Sequence, residues 1–194
     1  MKKLFTMLSV VAISTTLSFA QQGSVAIGVG SNLADVSWQN YSLTPTVGYF
    51  IADNMMVGMG FKLGSTSSTR PGFNDDGDEV SFDVKTSGME MSPFFRYFMN
   101  DAFFGQVGIM MGSGSSTDSE EGTADSKVSS FGLQAAVGYS LMWNDKVCIE
   151  PYFGIETGSG SSEVSVGNVT VSTDAPSTFD MGIGLSIHIR LGGE

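Results

Sequence analysis

Cysteine is nearly missing from this chain. Cys148 stands alone among 194 residues, so no intrachain disulfide can form. Proline is scarce as well, at five residues, and a strand tolerates little of it. Positive charge is short: nine Lys and Arg stand against twenty Asp and Glu, for a net charge of −11. That balance argues against nucleic acid as a partner, because phosphate binding needs clustered Lys and Arg. After the first twenty residues there is no heptad run and no 3.6-residue repeat. Nor is any later segment apolar and long enough for a helical membrane span. Helix is therefore a poor account of the chain, and many short strands a good one.

The chain opens with Met1-Lys2-Lys3, an apolar stretch from Leu4 to about Leu17, and Ser18-Phe19-Ala20. A charged start, a short greasy middle and a small-residue cut site form the pattern of a secretory signal peptide. The domain division that follows is a leader over 1–20 and one β domain over 21–194. Losing Lys2 and Lys3 takes the net charge from −11 to −13. No cysteine lies near the cut, so a lipid anchor is not expected.

The strongest signal is alternation with period two, since successive strand side chains point to opposite faces. Eight segments carry it. They hold Val25, Ile27 and Val29; Tyr41, Leu43, Pro45, Val47 and Tyr49; Met55, Val57, Met59, Phe61 and Leu63; and Met89, Met91, Pro93, Phe95 and Tyr97. The next four hold Phe103, Val107, Ile109 and Met111; Phe131, Leu133, Ala135, Val137, Tyr139 and Leu141; Val147, Ile149, Pro151, Phe153 and Ile155; and Phe179 through Leu191 in steps of two. All these residues have odd numbers and none is charged. The charged or long polar strand residues are even: Lys62, Glu90, Arg96, Gln106, Gln134, Glu150, Glu156, Asp180, His188 and Arg190. So are most strand glycines. A solvated face would be rich in Lys, Glu and Thr, whereas a glycine-lined face suits the crowded inside of a small barrel. The continuous bulky face then looks at lipid. The predicted fold is all-β: an eight-stranded antiparallel up-and-down transmembrane β-barrel.

Turns support the count. Ala52-Asp53-Asn54, Asn100-Asp101-Ala102 and Asn144-Asp145-Lys146 read as tight turns, because Asn and Asp tolerate left-handed backbone. Between them lie polar segments near 31–40, 64–88, 112–128 and 157–178 that read as long loops. Three turns and four loops join eight strands, with short turns and both mature termini periplasmic. Val164 to Val171 reads as a hairpin around Gly167-Asn168 that extends two strands above the membrane. Val80, Phe82 and Val84 alternate on the even parity, opposite to Met89 and Met91. A bulge near Thr86 to Gly88, or a small hairpin within the loop, would explain that flip.

Thr46-Val47-Gly48-Tyr49-Phe50-Ile51-Ala52-Asp53-Asn54-Met55-Met56-Val57-Gly58 and Ser92-Pro93-Phe94-Phe95-Arg96-Tyr97-Phe98 resemble the outer-membrane β-barrel domain family, the small barrels of the OmpA, OmpX and OmpW kind. The resemblance spans the mature chain and rests on hairpin style. It implies an outer-membrane location, lipid and lipopolysaccharide as surroundings, and the barrel assembly machinery as a partner. A monomer is expected, with no cofactor and no catalytic residues carried over. One departure stands at the C-terminus. Many such barrels end in an aromatic residue read by that machinery, whereas this chain ends Arg190-Leu191-Gly192-Gly193-Glu194.

The even charges form the candidate site. Arg96 and Glu150 each lie five residues from a turn aspartate, Asp101 and Asp145, and should share a layer with His188 and Arg190. Lys62, Glu90 and Glu156 should form a higher one, with Asp180 also facing inward. The leading expectation is an ion-paired plug, since eight strands leave room for side chains and no open channel. Its function would be structural or surface interaction through acidic loops. Two alternatives stand beside it: a narrow porin-like channel for ions or small hydrophobic molecules, and a lipid-A-modifying enzyme built on Ser186 and His188 with Glu150 as orienting acid. Asp75, Asp76, Asp78 and Glu79 make a carboxylate cluster that could hold calcium, though without the spacing of a full calcium loop. The exported protein is expected to begin at Gln21. N-terminal sequencing of the membrane-inserted protein checks this, and a retained Met1 would refute the leader.

Overall fold

A computed structural model describes residues 22–32, 43–73, 78–99, 102–119, 124–144, 146–167 and 169–192. The expected leader over 1–20 and residues 33–42 lie outside them. Nine strand segments follow one another: β1 (Val25–Asn32), β2 (Thr44–Ala52), β3 (Met55–Phe73), β4 (Glu79–Met99), β5 (Phe103–Asp118), β6 (Asp125–Tyr139), β7 (Leu141–Trp143), β8 (Val147–Val166) and β9 (Val169–Leu191). β6 and β7 both pair with β8 in one continuous register, interrupted only at Ser140. They therefore fill a single position. Each strand pairs antiparallel with its sequence neighbour, and β1 pairs with β9. The result is a closed barrel of eight positions, as the alternation predicts.

Closure fixes a stagger. A circuit of paired residues runs from Leu191 through Val25, Tyr49, Val57, Phe95, Val107, Ala135 and Ile155. It returns to β9 at Met181, ten residues from its start. Such a shear on eight strands goes with a tilt of about 35–45°. Every member of the circuit is apolar and odd-numbered. The odd parity is thus handed from strand to strand around the whole wall.

Exposure follows the same split. Large side chains such as Tyr49, Phe61, Phe95, Phe131, Phe153 and Ile183 lie open on the outside, while every buried residue among those described has an even number. On β3 the apolar face runs from Met55 to Leu63, and on β4 from Met89 to Met99. Those are the lengths that tilted strands need to cross a bilayer, about 9–11 residues. The wall is that of a transmembrane barrel.

Two expectations are corrected. The segments 64–88, 112–128 and 157–178 are not mainly loops. β3, β4, β5, β6, β8 and β9 continue through them as paired strands. Their Ser, Thr and Gly carry no hydrophobic alternation, so the period-two signal vanishes while the ladder persists. There is likewise no bulge at Thr86 to Gly88, nor a separate hairpin there. β3 and β4 stay in one register from Met55↔Tyr97 to Phe73↔Glu79. Val80, Phe82 and Val84 simply face inward. Above the membrane the outside meets water, so the apolar side chains move to the inner face. The one register shift in this region lies between Gly158 and Gly160, on the β8–β9 pair.

The hairpin at Gly167 forms as expected, joining Val166 to Val169, with Gly167 at φ 57° in the left-handed region. Asn144 at φ 52° does the same for the turn before β8. Among the described residues, the upper parts of β3 and β9 have a strand neighbour on one side only. Each carries a proline there, Pro71 and Pro176, which blunts an edge against further pairing.

Inward glycines make room for inward bulk. Gly58 faces Phe94, Gly138 faces Phe104 and Gly184 faces Tyr152. A Cβ at any of these glycines would run into the facing ring. Gly184→Val should therefore cost about 1–3 kcal/mol through overpacking. Gly64→Ala, where nothing lies within 4 Å, should stay within about 0.5 kcal/mol. Urea unfolding in lipid vesicles reads both, and equal effects would contradict this packing.

Candidate functional site

The lumen is built in tiers. At the end of the barrel that carries the tight turns, β4, β5, β8 and β9 each send an even-numbered side chain inward. Glu150 on β8 is 2 % exposed and acts as a hub. Arg96 on β4 reaches across the barrel and donates from a terminal nitrogen to Glu150 Oε2 at 2.5 Å. Ser186 donates to the same oxygen at 3.1 Å, and Ser140 to Oε1 at 3.2 Å. The Cys148 thiol donates to Oε1 at 3.6 Å. The His188 Nδ1 atom lies 3.0 Å from Oε2, an ion-pair distance off the axis of a hydrogen bond. Such crowding is what an ionised carboxylate needs away from water, where each oxygen must be satisfied.

Arg96 is held from its other side too. Its Nε and second terminal nitrogen both donate to Gln106 Oε1, at 3.0 and 2.8 Å. Its plane lies 4.1 Å from the centre of the Phe104 ring. Arg190 stacks on Phe50 at 4.8 Å and on Phe98 at 5.7 Å. Phe50 and Phe98 stack on each other at 5.5 Å, and Phe98 leans on Phe104 at 5.9 Å. Phe50 and Phe104 are sealed from solvent. The plug is thus as much aromatic as ionic, with guanidinium groups lying on ring faces.

Sequence reasoning brought the lower four charges into one layer, and the structure places them at one end. Arg96, Glu150 and His188 meet directly, while Arg190 sits with the phenylalanines and near Cys148, at 3.9 Å. What that reasoning missed is the aromatic half. Phe50, Phe94, Phe98, Phe104 and Tyr152 share the even parity with the charges. Reading even residues as charge and glycine alone hid them. The glycines paired with Phe94, Phe104 and Tyr152 were the available signal.

Above the plug lies an open cup of about 330 Å3. Lys62, Glu90, Glu156 and Asp180 all line it, with Gln134, Tyr152 and Thr46. Lys62 faces Glu90 across β3 and β4, and Glu156 faces Asp180 across β8 and β9. Higher still, Arg70 pairs with Asp118 at 2.6 Å and lies 5.3 Å from the Phe82 ring. That third tier was not anticipated, because it lies in a segment read as loop.

The hydrolase arrangement does not assemble as expected. Ser186 donates to Glu150, not to His188. The hydroxyl on His188 Nε2 belongs to Thr46, at 3.0 Å, and the imidazole reaches it over Gly28, which pairs with both residues. The carboxylate cluster lies partly beyond view. Asp75 and Asp76 lie outside the described residues, and Glu79 opens β4 opposite Phe73. Among the described residues no group of metal-ligating side chains gathers.

No family model matches the chain, and no curated protein does. Among solved structures it is similar to the N-terminal β-barrel domain of Pseudomonas aeruginosa OprF, at 9 % identity and a TM-score of 0.41, covering 88 % of this chain and 99 % of that one. It is similar to the outer membrane protein OprG of Pseudomonas aeruginosa, at 15 % identity and a TM-score of 0.46, covering 88 % and 98 %. The outer membrane protein AlkL, solved in DMPC lipid bilayers, is 16 % identical with a TM-score of 0.44, covering 93 % and 96 %. The assignment of the barrel rests on the closed ladder and the faces of its wall.

Arg96→Met keeps most of the volume and removes the charge that answers Glu150. It should destabilise the barrel by about 3–5 kcal/mol, because one member of a buried pair is left alone. Adding Glu150→Gln should recover part of the loss. Urea midpoints in vesicles measure both, and an unchanged midpoint in the single variant would refute the plug.

Proposed function

We propose that this chain is an outer-membrane barrel whose role is anchorage and surface presentation. The apolar belt fixes it in the bilayer, and six strands carry a polar, acidic structure beyond it. The observation that carries the reading is the sealed lower lumen. Phe50, Phe98 and Phe104 pack with Arg96, Arg190 and Glu150 below the cup. A wall without a bore suits a scaffold better than a pore.

The remaining parts of the proposal follow from the same geometry. The tight turns and both mature ends share one end of the barrel, and short turns are periplasmic in bacterial barrels. The extended strands then face outward from the cell. Outer-leaflet lipid and lipopolysaccharide surround the belt, and the assembly machinery inserts the chain, which acts as a monomer. The enzyme reading finds less support. Ser186 and His188 face the lumen, away from lipid substrates, and do not bond to each other. The channel is the second reading, because Lys62, Glu90, Gln134, Glu156 and Asp180 line the cup.

Purified barrel in a planar bilayer should remain electrically silent, while heat-modifiable migration shows that it is folded. Discrete conductance steps from the folded form would overturn the sealed-lumen reading.

A further inference from the structure

We propose that the outer wall just above the apolar belt carries a binding groove for the sugar headgroup of an outer-leaflet glycolipid. This rests on the transmembrane reading and deepens it. The groove has a volume of about 510 Å3 and crosses β4, β5, β6 and β8. That size is ordinary for a small-molecule site, about 300–1,000 Å3.

Apart from Val128, its side chains belong to the odd parity that forms the lipid-facing wall. Ser87, Ser113 and Ser129 stand two residues above Met89, Met111 and Phe131, the upper rim of the belt. Met89 lines the groove itself. A molecule seated there meets hydroxyls at headgroup height and continues downward onto bulky apolar side chains. That surface is amphipathic along one direction, which is the shape of a lipid.

The chemistry favours a sugar over a bare phosphate. Ser87 and Ser115 pair at 3.1 Å, and Ser129 and Ser161 at 2.9 Å, with either oxygen able to donate. A hydroxyl offers one proton and two lone pairs, so each pair retains capacity for a further partner. Sugar hydroxyls carry the same mixed capacity. The one lysine that lines the groove, Lys127, faces Glu163 directly across β6 and β8. A phosphate site needs an excess of cations, whereas this pair leaves the groove near neutral and supplies both a donor and an acceptor.

The test uses the full mature barrel in phosphatidylcholine nanodiscs. Each preparation is doped with rough-type lipopolysaccharide, which bears core sugars, or with lipid A stripped of them. Native mass spectrometry counts the glycolipid retained. The sugar-bearing lipid should be retained at least about fivefold over lipid A, a difference near 1 kcal/mol. Ser129→Trp, which fills the groove, should abolish that preference, whereas Ser67→Trp at similar height on β3 should keep it. Ser161→Trp repeats the test from the adjoining strand should Ser129→Trp fail to fold. Equal retention of the two lipids, or an unchanged preference with the groove filled, would overturn the site while the inserted, heat-modifiable barrel stands. A chain that never enters the bilayer would instead overturn the transmembrane reading.

Discussion

A closed antiparallel ladder binds the parity of every residue in it. Side chains alternate along a strand, and pairing hands the same face to the next strand. Closure after a ten-residue stagger returns odd residues to odd residues. No strand can slip by one without turning its grease into the lumen and its charges into lipid. The bilayer makes that constraint severe, because it offers no water to an unpaired backbone group. Belt, plug and groove all inherit their position from it.

The same alternation has opposite meanings at two heights. Within the bilayer the outside is apolar and the inside mixed. Above it, the solvent on the outside is water, and the odd face turns to Ser, Lys and Asp. Val80, Phe82 and Val84 then face inward with no change of register. The exchange looks like a shifted strand when only the letters are read. Its cause is a change of solvent along a continuous strand. The upper strands are long and paired, and their serine ladders are held by cross-strand hydroxyl contacts.

Inside the barrel, charge and aromatic rings share one small volume. Glu150 gathers donors from β4, β8, β9 and Ser140 between β6 and β7, and the guanidinium groups of Arg96 and Arg190 lie on phenylalanine faces. Phe94, Phe104 and Tyr152 fit because glycines face them from neighbouring strands. Burying this ion pair is costly by itself. Dense partners offset the cost and close the lower lumen. The inward glycines and the inward aromatics are two halves of one packing solution.

Strand number, wall orientation and the inward set of charges were legible in the sequence, because alternation is local and survives without any tertiary contact. The pairing of Arg96 with Glu150, residues 54 apart in the chain, was legible only as a shared layer. Contact across a lumen depends on the stagger of the closed ladder, which no single strand encodes. The reach of His188 to Thr46 over Gly28 had no local sign, since three strands must meet to make it. The upper strands were hidden for a related reason. Their residues lack apolar alternation, and only pairing with long neighbours holds them extended. Sequence determined which face each residue takes, because a side chain's direction follows from its own backbone. Tertiary structure decided which partner it meets there, because partners are set by the closure of the whole sheet.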